Sequence, residues 1–294
     1  MNLNIIQEEN KIKIQGLKDF EPKHIFECGQ CFRWKRNDDD SYTYIAKKKV
    51  VNVKKEKDYV IFTNTTVEDF NNLWCDYFDL NRDYGHIKEV LSNDEILADA
   101  TIFGHGIRIL KQNPWEILIS FIISANNRIP MIKKSIKTLS EQYGEYIGKY
   151  NGEKYYTFPT VEKLAELKEE DIRACYTGFR AKYVLGAARR ILEQNIDLYK
   201  IKDMTTEEGR EMLMKFSGIG PKVADCILLF SMDKMDAFPI DIWVKRVMEY
   251  FYLKEDTKLK DIQSYATEKF GEYAGIAQQY LFYYAREKNI GKKK

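Results

Sequence analysis

The stretch FSGIGPKVADCI (216–227) decides how this chain is built. Gly218 and Gly220 are followed at once by Pro221, a residue suited to the first position of a helix because its φ is already fixed. Ahead of them, TTEEGREMLMKF (205–216) sets Thr205 and Glu208 at capping-box spacing and then keeps a helical period. The pattern predicts two short helices joined by a tight turn, a helix–hairpin–helix over about 206–230. The glycines let such a turn approach another surface closely, and the free N–H groups of the second helix suit a phosphate. A bare Gly-x-Gly is equally well explained as a plain helix–helix turn. Lys222 is the anomaly, because the first turn of a helix favours acidic side chains.

Outward from the hairpin the period stays helical back to about residue 66. NPWEILISFIIS (113–124) offers an Asn cap, a Pro and a nearly unbroken apolar run, which predicts a buried central helix. PMIKKSIKTLSEQYG (130–144) is amphipathic. Residues 10–65 alternate instead, in NKIKIQGL (10–17), QCFRWKR (30–36), YTYIAKKKVVNVKK (42–55) and DYVIFTN (58–64), with polar breaks between. That is the pattern of antiparallel strands joined by tight turns. The expected fold class is α+β: a small antiparallel β-rich N-terminal domain, residues 1–100, followed by a mostly α-helical body, residues 101–294, with the hairpin at about 206–230 and an aspartate-bearing loop at 236–241.

Composition narrows the class. In 294 residues, 44% apolar and 14% aromatic content is that of a folded protein. MNLNIIQEEN at the start has no signal-peptide pattern, and WEILISFIIS (115–124) is too short to span a bilayer, so a soluble, cytoplasmic protein without membrane contact is expected, nucleoid-associated if bacterial. Five cysteines suggest no disulfide framework. The net charge of +2 hides an asymmetry: residues 1–100 hold 15 Lys+Arg against 19 Asp+Glu, leaving 32 against 26 for the rest. Basic runs at RAKYVLGAARR (180–190), WVKRV (243–247) and the tail GKKK (291–294) would serve a polyanionic partner only if they shared a face. CGQC (28–31) has metal-ligand spacing, but no second Cys/His pair accompanies it and His24, His86 and His105 are scattered, so no metal is expected there.

Nineteen residues after Lys222 comes FPIDIWVKRV (238–247), whose Asp241 precedes a helix. It can be an N-cap, or a carboxylate held near the lysine amine. Hairpin, lysine and Pro-x-Asp together resemble the signature of the helix–hairpin–helix base-excision DNA glycosylases, in which a lysine at this position marks enzymes that also cleave the strand. The resemblance implies that Lys222 is the nucleophile. Burial and the positive helix end both disfavour its ammonium, and a neutral amine can attack the anomeric carbon, displace the base, form a Schiff base and lead to β-elimination. Asp241 would stabilise the developing oxocarbenium charge or shuttle protons. Phosphate contacts fall to Gly218, Gly220 and Val223.

Further segments narrow the resemblance to the 8-oxoguanine DNA glycosylases: ECGQCFRW (27–34), FIISANNRI (121–129), TGFRAKYV (177–184) and AGIAQQYLF (274–282), in the family's order and spacing. By that resemblance the Gly29 carbonyl accepts from the ring N–H that distinguishes the lesion from guanine, Gln278 reads the Watson–Crick edge, and Phe282 and Cys226 sandwich the ring. Asn126 and Arg180 meet the estranged opposite base. Three positions depart from the family pattern: Met131 stands where an arginine reads the opposite cytosine, Phe179 replaces a tyrosine wedge, and Trp243 replaces a phosphate-contacting histidine. The iron–sulfur subfamily is excluded, because no cysteine follows Cys226. The implied partner is double-stranded DNA carrying 8-oxoguanine, bound by a monomer. No cofactor is expected beyond a structural monovalent or divalent cation that hairpin carbonyls could hold. Two alternatives stand beside this reading: a glycosylase for another damaged base, and a non-catalytic helix–hairpin–helix DNA-binding module.

Overall fold

The computed structural model describes residues 3–291, so Lys292–Lys294 of the basic tail lie outside the described residues. Strands β1 (Asn4–Glu8), β2 (Lys11–Gln15), β3 (Trp34–Arg36), β4 (Tyr42–Ala46), β5 (Lys49–Glu56) and β6 (Tyr59–Thr63) form one antiparallel sheet in the order β1-β2-β6-β5-β4-β3. β2 and β6 bury alternate residues, Ile12 and Ile14 opposite Phe62 and Val60, as the period-two pattern requires. Beneath that face lies an aromatic core of Phe20, Phe26, Phe62, Phe70, Trp74 and Phe78. The remaining chain is mostly helical and builds a second, larger core around the helix Pro114–Ser124, which packs on Ile129–Tyr143, Ala181–Glu193 and Pro221–Ser231. Asn113 caps this central helix by accepting from the Glu116 N–H, and Pro114 starts it. The Thr205–Glu208 capping box is formed in both directions. Among the described residues no helix is long and apolar enough to cross a membrane.

Two local expectations need correction. QCFRWKR is strand only from Trp34. A helix, Pro22–Glu27, precedes it, and residues 28–33 are irregular. The alternation there arises because this segment threads between the two cores, Cys28 and Phe32 pointing into the larger and Cys31 into the smaller. Gly29 lies in this irregular segment, with φ +88°. Nor is the chain helical throughout after residue 66: β7 (Tyr146–Tyr150) and β8 (Glu153–Tyr156) form a hairpin, turned by Asn151 and Gly152 at φ +46° and +81°. An Asn-Gly pair with both residues at positive φ is the preferred two-residue hairpin turn.

Candidate active site

The helix–hairpin–helix consists of Thr206–Met214 and Pro221–Ser231. Ile219, between the two glycines, is buried and anchors the turn in the larger core. The glycines differ in kind. Gly218 has φ +87°, and a Cβ there would stand 2.8 Å from the Tyr183 ring, so the fold itself demands glycine. Gly220 has φ −101°, and a Cβ would meet nothing within 4 Å. The fold makes no such demand at Gly220, whose open side faces outward. Val223 buries its side chain, so only its main chain is available to an external ligand.

From this hairpin Lys222 points into a narrow cleft of about 40 Å³ whose walls come from five separate segments. Cys28 and Gly29 supply one side; Lys222, Cys226 and Phe230 another; Pro239 and Asp241 a third; Gln278, Gln279 and Phe282, on the C-terminal helix Ala274–Lys288, close it. Phe121 of the central helix stacks on Phe230 and presents its ring 5.4 Å from Lys222 Nζ. Every residue assigned to the catalytic pair and the base pocket is thus brought together. A much larger groove, about 830 Å³, runs between β3–β4, the helix Ile129–Tyr143 and β8. It contains none of these residues, and size does not outweigh the convergence of nucleophile, carboxylate and apolar walls in the small cleft.

Three nucleophilic side chains line the cleft, and their environments separate them. Burial pushes the Cys28 and Cys226 thiols each up to about 11, a shift that Lys222 only partly offsets for Cys226. A thiol is a nucleophile as its thiolate, so both are inert at neutral pH, leaving the Lys222 amine. Asp241 is the N-cap of Ile242–Phe251: its Oδ1 accepts from the N–H groups of Trp243, at 2.9 Å, and Val244, at 2.8 Å. The N-cap reading of Asp241 is realised, one oxygen fixing the carboxylate against the helix, and the residue also lines the cleft that Lys222 lines.

Gly29 is held by neighbours that motif reading passed over. Its backbone approaches the Phe282 ring so closely that a Cβ would lie 3.3 Å from Cε1. Arg286, whose guanidinium lies 5.2 Å from that ring, donates to the Glu27 carbonyl. Gln30 is a staple. Its amide donates to the carbonyls of Ile25 and Arg108, its side-chain oxygen accepts from the Leu110 N–H, and its own carbonyl accepts from Gln112. Gln279 was also missed, although i, i+3 spacing sets it beside Phe282 on the same helix.

The expected opposite-base residues gather at the exposed end of the central helix. Asn126 is exposed, in the left-handed region at φ +52°, a conformation Asn tolerates. Arg180 is not the solvated side chain that an isolated arginine suggests. It is buried, donating from Nε to the Ala125 carbonyl at 2.7 Å and from Nη2 to the Asn126 carbonyl at 2.8 Å. In this structure it holds the turn that presents Asn126. Phe179, more than half exposed, lies against the Arg180 guanidinium, and Met131 is exposed in the first turn of Ile129–Tyr143. The basic run 180–190 is largely engaged within the fold, Arg189 and Arg190 donating to main-chain carbonyls. Trp243 packs against Arg246.

Residues 12–118 match the family model described as 8-oxoguanine DNA glycosylase, N-terminal domain, and residues 119–272 match the HhH-GPD superfamily base excision DNA repair protein. The chain is 32% identical to the N-glycosylase/DNA lyase of Saccharomyces cerevisiae, over 88% of this chain and 81% of that one. It is also 32% identical to a probable N-glycosylase/DNA lyase of Methanothermobacter thermautotrophicus, over 72% and 74% respectively. A solved structure of Clostridium acetobutylicum 8-oxoguanine glycosylase/lyase, in complex with double-stranded DNA containing cytosine opposite 8-oxoguanine, superposes with a TM-score of 0.95 at 51% identity, covering 99% of this chain and 100% of that one.

Proposed function

The chain belongs to the 8-oxoguanine DNA glycosylases of the HhH-GPD superfamily, and on that premise we propose that it excises 8-oxoguanine from duplex DNA through Lys222 and then nicks the strand. The observation that carries this reading is the cleft itself, where Lys222, Asp241, Gly29, Gln278, Phe282 and Cys226 converge from distant parts of the chain. The hairpin grips the phosphate, and the flipped base enters between Cys226 and Phe282. At about 40 Å³ the cleft is far below the roughly 300–1,000 Å³ of ordinary ligand pockets, so entry moves Phe282 off Gly29. The Gly29 carbonyl accepts from N7–H of 8-oxoguanine and opposes the N7 lone pair of guanine.

In the chemical step the Lys222 nitrogen bonds to the anomeric carbon as the glycosidic C–N bond breaks, the base leaving with the electron pair. Asp241 stabilises the positive charge that develops on the sugar. Ring opening gives the imine, and loss of the adjacent sugar proton expels the 3′ phosphate. The test is a panel of duplexes each carrying one damaged base. 8-Oxoguanine should be released fastest and yield both free base and nicked strand. Preference for an alkylated base or an oxidised pyrimidine would refute the substrate assignment.

Two smaller predictions arise here. Gly220→Thr retains a capping residue and an allowed backbone, so stability should stay within about 0.5 kcal/mol. The new side chain stands where the strand must approach, so affinity should fall for damaged and undamaged duplexes alike, as titrations by fluorescence anisotropy would show. A loss confined to damaged DNA would remove the phosphate role.

The second concerns Met131, which supplies neither the donors that reward cytosine nor the penalty that rejects other bases. Wild-type excision opposite adenine, guanine or thymine should be slower than opposite cytosine by less than the roughly hundredfold within reach of one bidentate contact. Met131→Arg should widen the gap, and single-turnover rates on the four duplexes decide it.

A further inference from the structure

Gln279 lies in the cleft with its side chain almost wholly buried, yet its amide is only half used. Nε2 donates to the Gln278 Oε1 at 2.7 Å, while Gln279 Oε1 is one of only four buried side-chain polar atoms, among the described residues, without any hydrogen-bond partner. A buried carbonyl oxygen left unpaired bears the full cost of its desolvation, and such groups are rare in folded proteins. The other three, on Arg190, Glu249 and Tyr280, lie outside the cleft. Gln279 alone places an unmet acceptor beside the residues that receive the base.

We propose that Gln279 is a specificity-determining residue that reads the exocyclic 2-amino group of 8-oxoguanine. The inference rests on the functional reading above and adds a contact to it. The Watson–Crick edge of the lesion carries three groups in a row: the O6 acceptor, the N1–H donor and the 2-amino donor. The single amide of Gln278 can satisfy two adjacent ones, its N–H donating to O6 and its Oε1 accepting from N1–H. The 2-amino group remains, next to N1–H. On the protein, Gln279 is the neighbour on the Oε1 side of Gln278, since that is the oxygen to which it donates. The order of groups on the base therefore matches the order on the helix, and the unpaired oxygen of Gln279 meets the unpaired N–H of the amino group. The same hydrogen bond holds the Gln278 amide in the orientation that N1–H requires.

A chemical double comparison tests this. Single-turnover excision is measured for 8-oxoguanine and for 8-oxohypoxanthine, which lacks only the 2-amino group, each opposite cytosine, in wild type and in Gln279→Met. Wild type should favour 8-oxoguanine by about tenfold or more, the value of one buried hydrogen bond whose acceptor is otherwise stranded. In Gln279→Met, similar in length but without an acceptor carbonyl, that preference should fall to about twofold or less. Because the comparison is a ratio of ratios, the weaker pairing of 8-oxohypoxanthine in the duplex cancels.

Gln279→Glu is the second variant. It keeps an acceptor oxygen at nearly the same place, so it should retain the preference even though the amide link to Gln278 changes. If Gln279→Met slows both bases by the same factor, or neither, Gln279 merely props Gln278 and the inference is overturned. Loss of the preference in Gln279→Glu as well would overturn it too. Should wild type fail to release 8-oxoguanine from any pairing, the functional reading fails first, and that outcome is distinct from either of these.

Discussion

Borohydride added to the protein on an 8-oxoguanine duplex should yield a covalent protein–DNA adduct, and Lys222→Gln should yield none. The competing nucleophiles in the cleft are thiols that burial holds protonated, so no other side chain is placed to take over. Attack by Lys222 leaves its nitrogen in an imine with the opened sugar, and hydride reduction of that C=N bond makes the link permanent. Glutamine has no nucleophilic nitrogen. Base release should fall by about a thousandfold or more, the scale on which loss of a catalytic nucleophile is felt.

The same substitution should leave the fold intact or firmer. Lys222 occupies the first turn of Pro221–Ser231, where a positive charge opposes the helix dipole by about 0.3–1 kcal/mol. Its position is unfavourable for the helix, and the proposed nucleophilic role accounts for it. Lys222→Gln should therefore melt no lower than wild type while binding lesion DNA nearly as well. An undiminished adduct in this variant would falsify the assignment of Lys222.

What could be read in advance divides along physical lines. The hairpin, the capped helix starts and the alternating strands β2 and β6 rest on local rules, and local rules are visible in a linear sequence. The cleft was legible for a different reason: its residues sit in segments that resemble a known family, and the resemblance, not a local rule, named them together. What a linear reading leaves out is, with one exception, tertiary context. The segment at Gly29 alternates because it lies between two cores, a circumstance no single segment records. The burial of Arg180 is of the same kind, because the carbonyls of Ala125 and Asn126 that hold it lie more than fifty residues away in sequence. The hairpin at Asn151-Gly152 is the exception, because its turn signal was in plain view and was passed over in favour of the surrounding helical period. Gln279 was likewise within reach, at i, i+3 spacing from Phe282. Only its stranded oxygen, a fact of packing, sets it apart.

Asp241 offers the second large effect, because its two roles can be separated by one substitution. As a cap it needs only an oxygen that accepts from the N–H groups of Trp243 and Val244. As a participant in catalysis it needs a negative charge. Asn supplies the first without the second, and it caps helices about as well as Asp. Asp241→Asn should thus hold its stability to within a few tenths of a kcal/mol, plus whatever the lost charge contributed at the helix N-terminus, about 0.3–1 kcal/mol. Its base-excision rate should nevertheless fall by roughly a hundred- to ten-thousandfold, the range for removing a positioned charge or proton-transfer group from a transition state. Affinity should change little, since Asp241 lines the cleft and is not part of the hairpin proposed to grip the phosphates. Asp241→Ala removes both roles and should add a melting defect worth about 1 kcal/mol to the same kinetic loss. Single-turnover excision and thermal unfolding on the two variants give the decision. If Asp241→Asn excises at the wild-type rate while only Asp241→Ala is impaired, Asp241 is a cap and nothing more, and the charge that stabilises the opening sugar must come from elsewhere in the cleft.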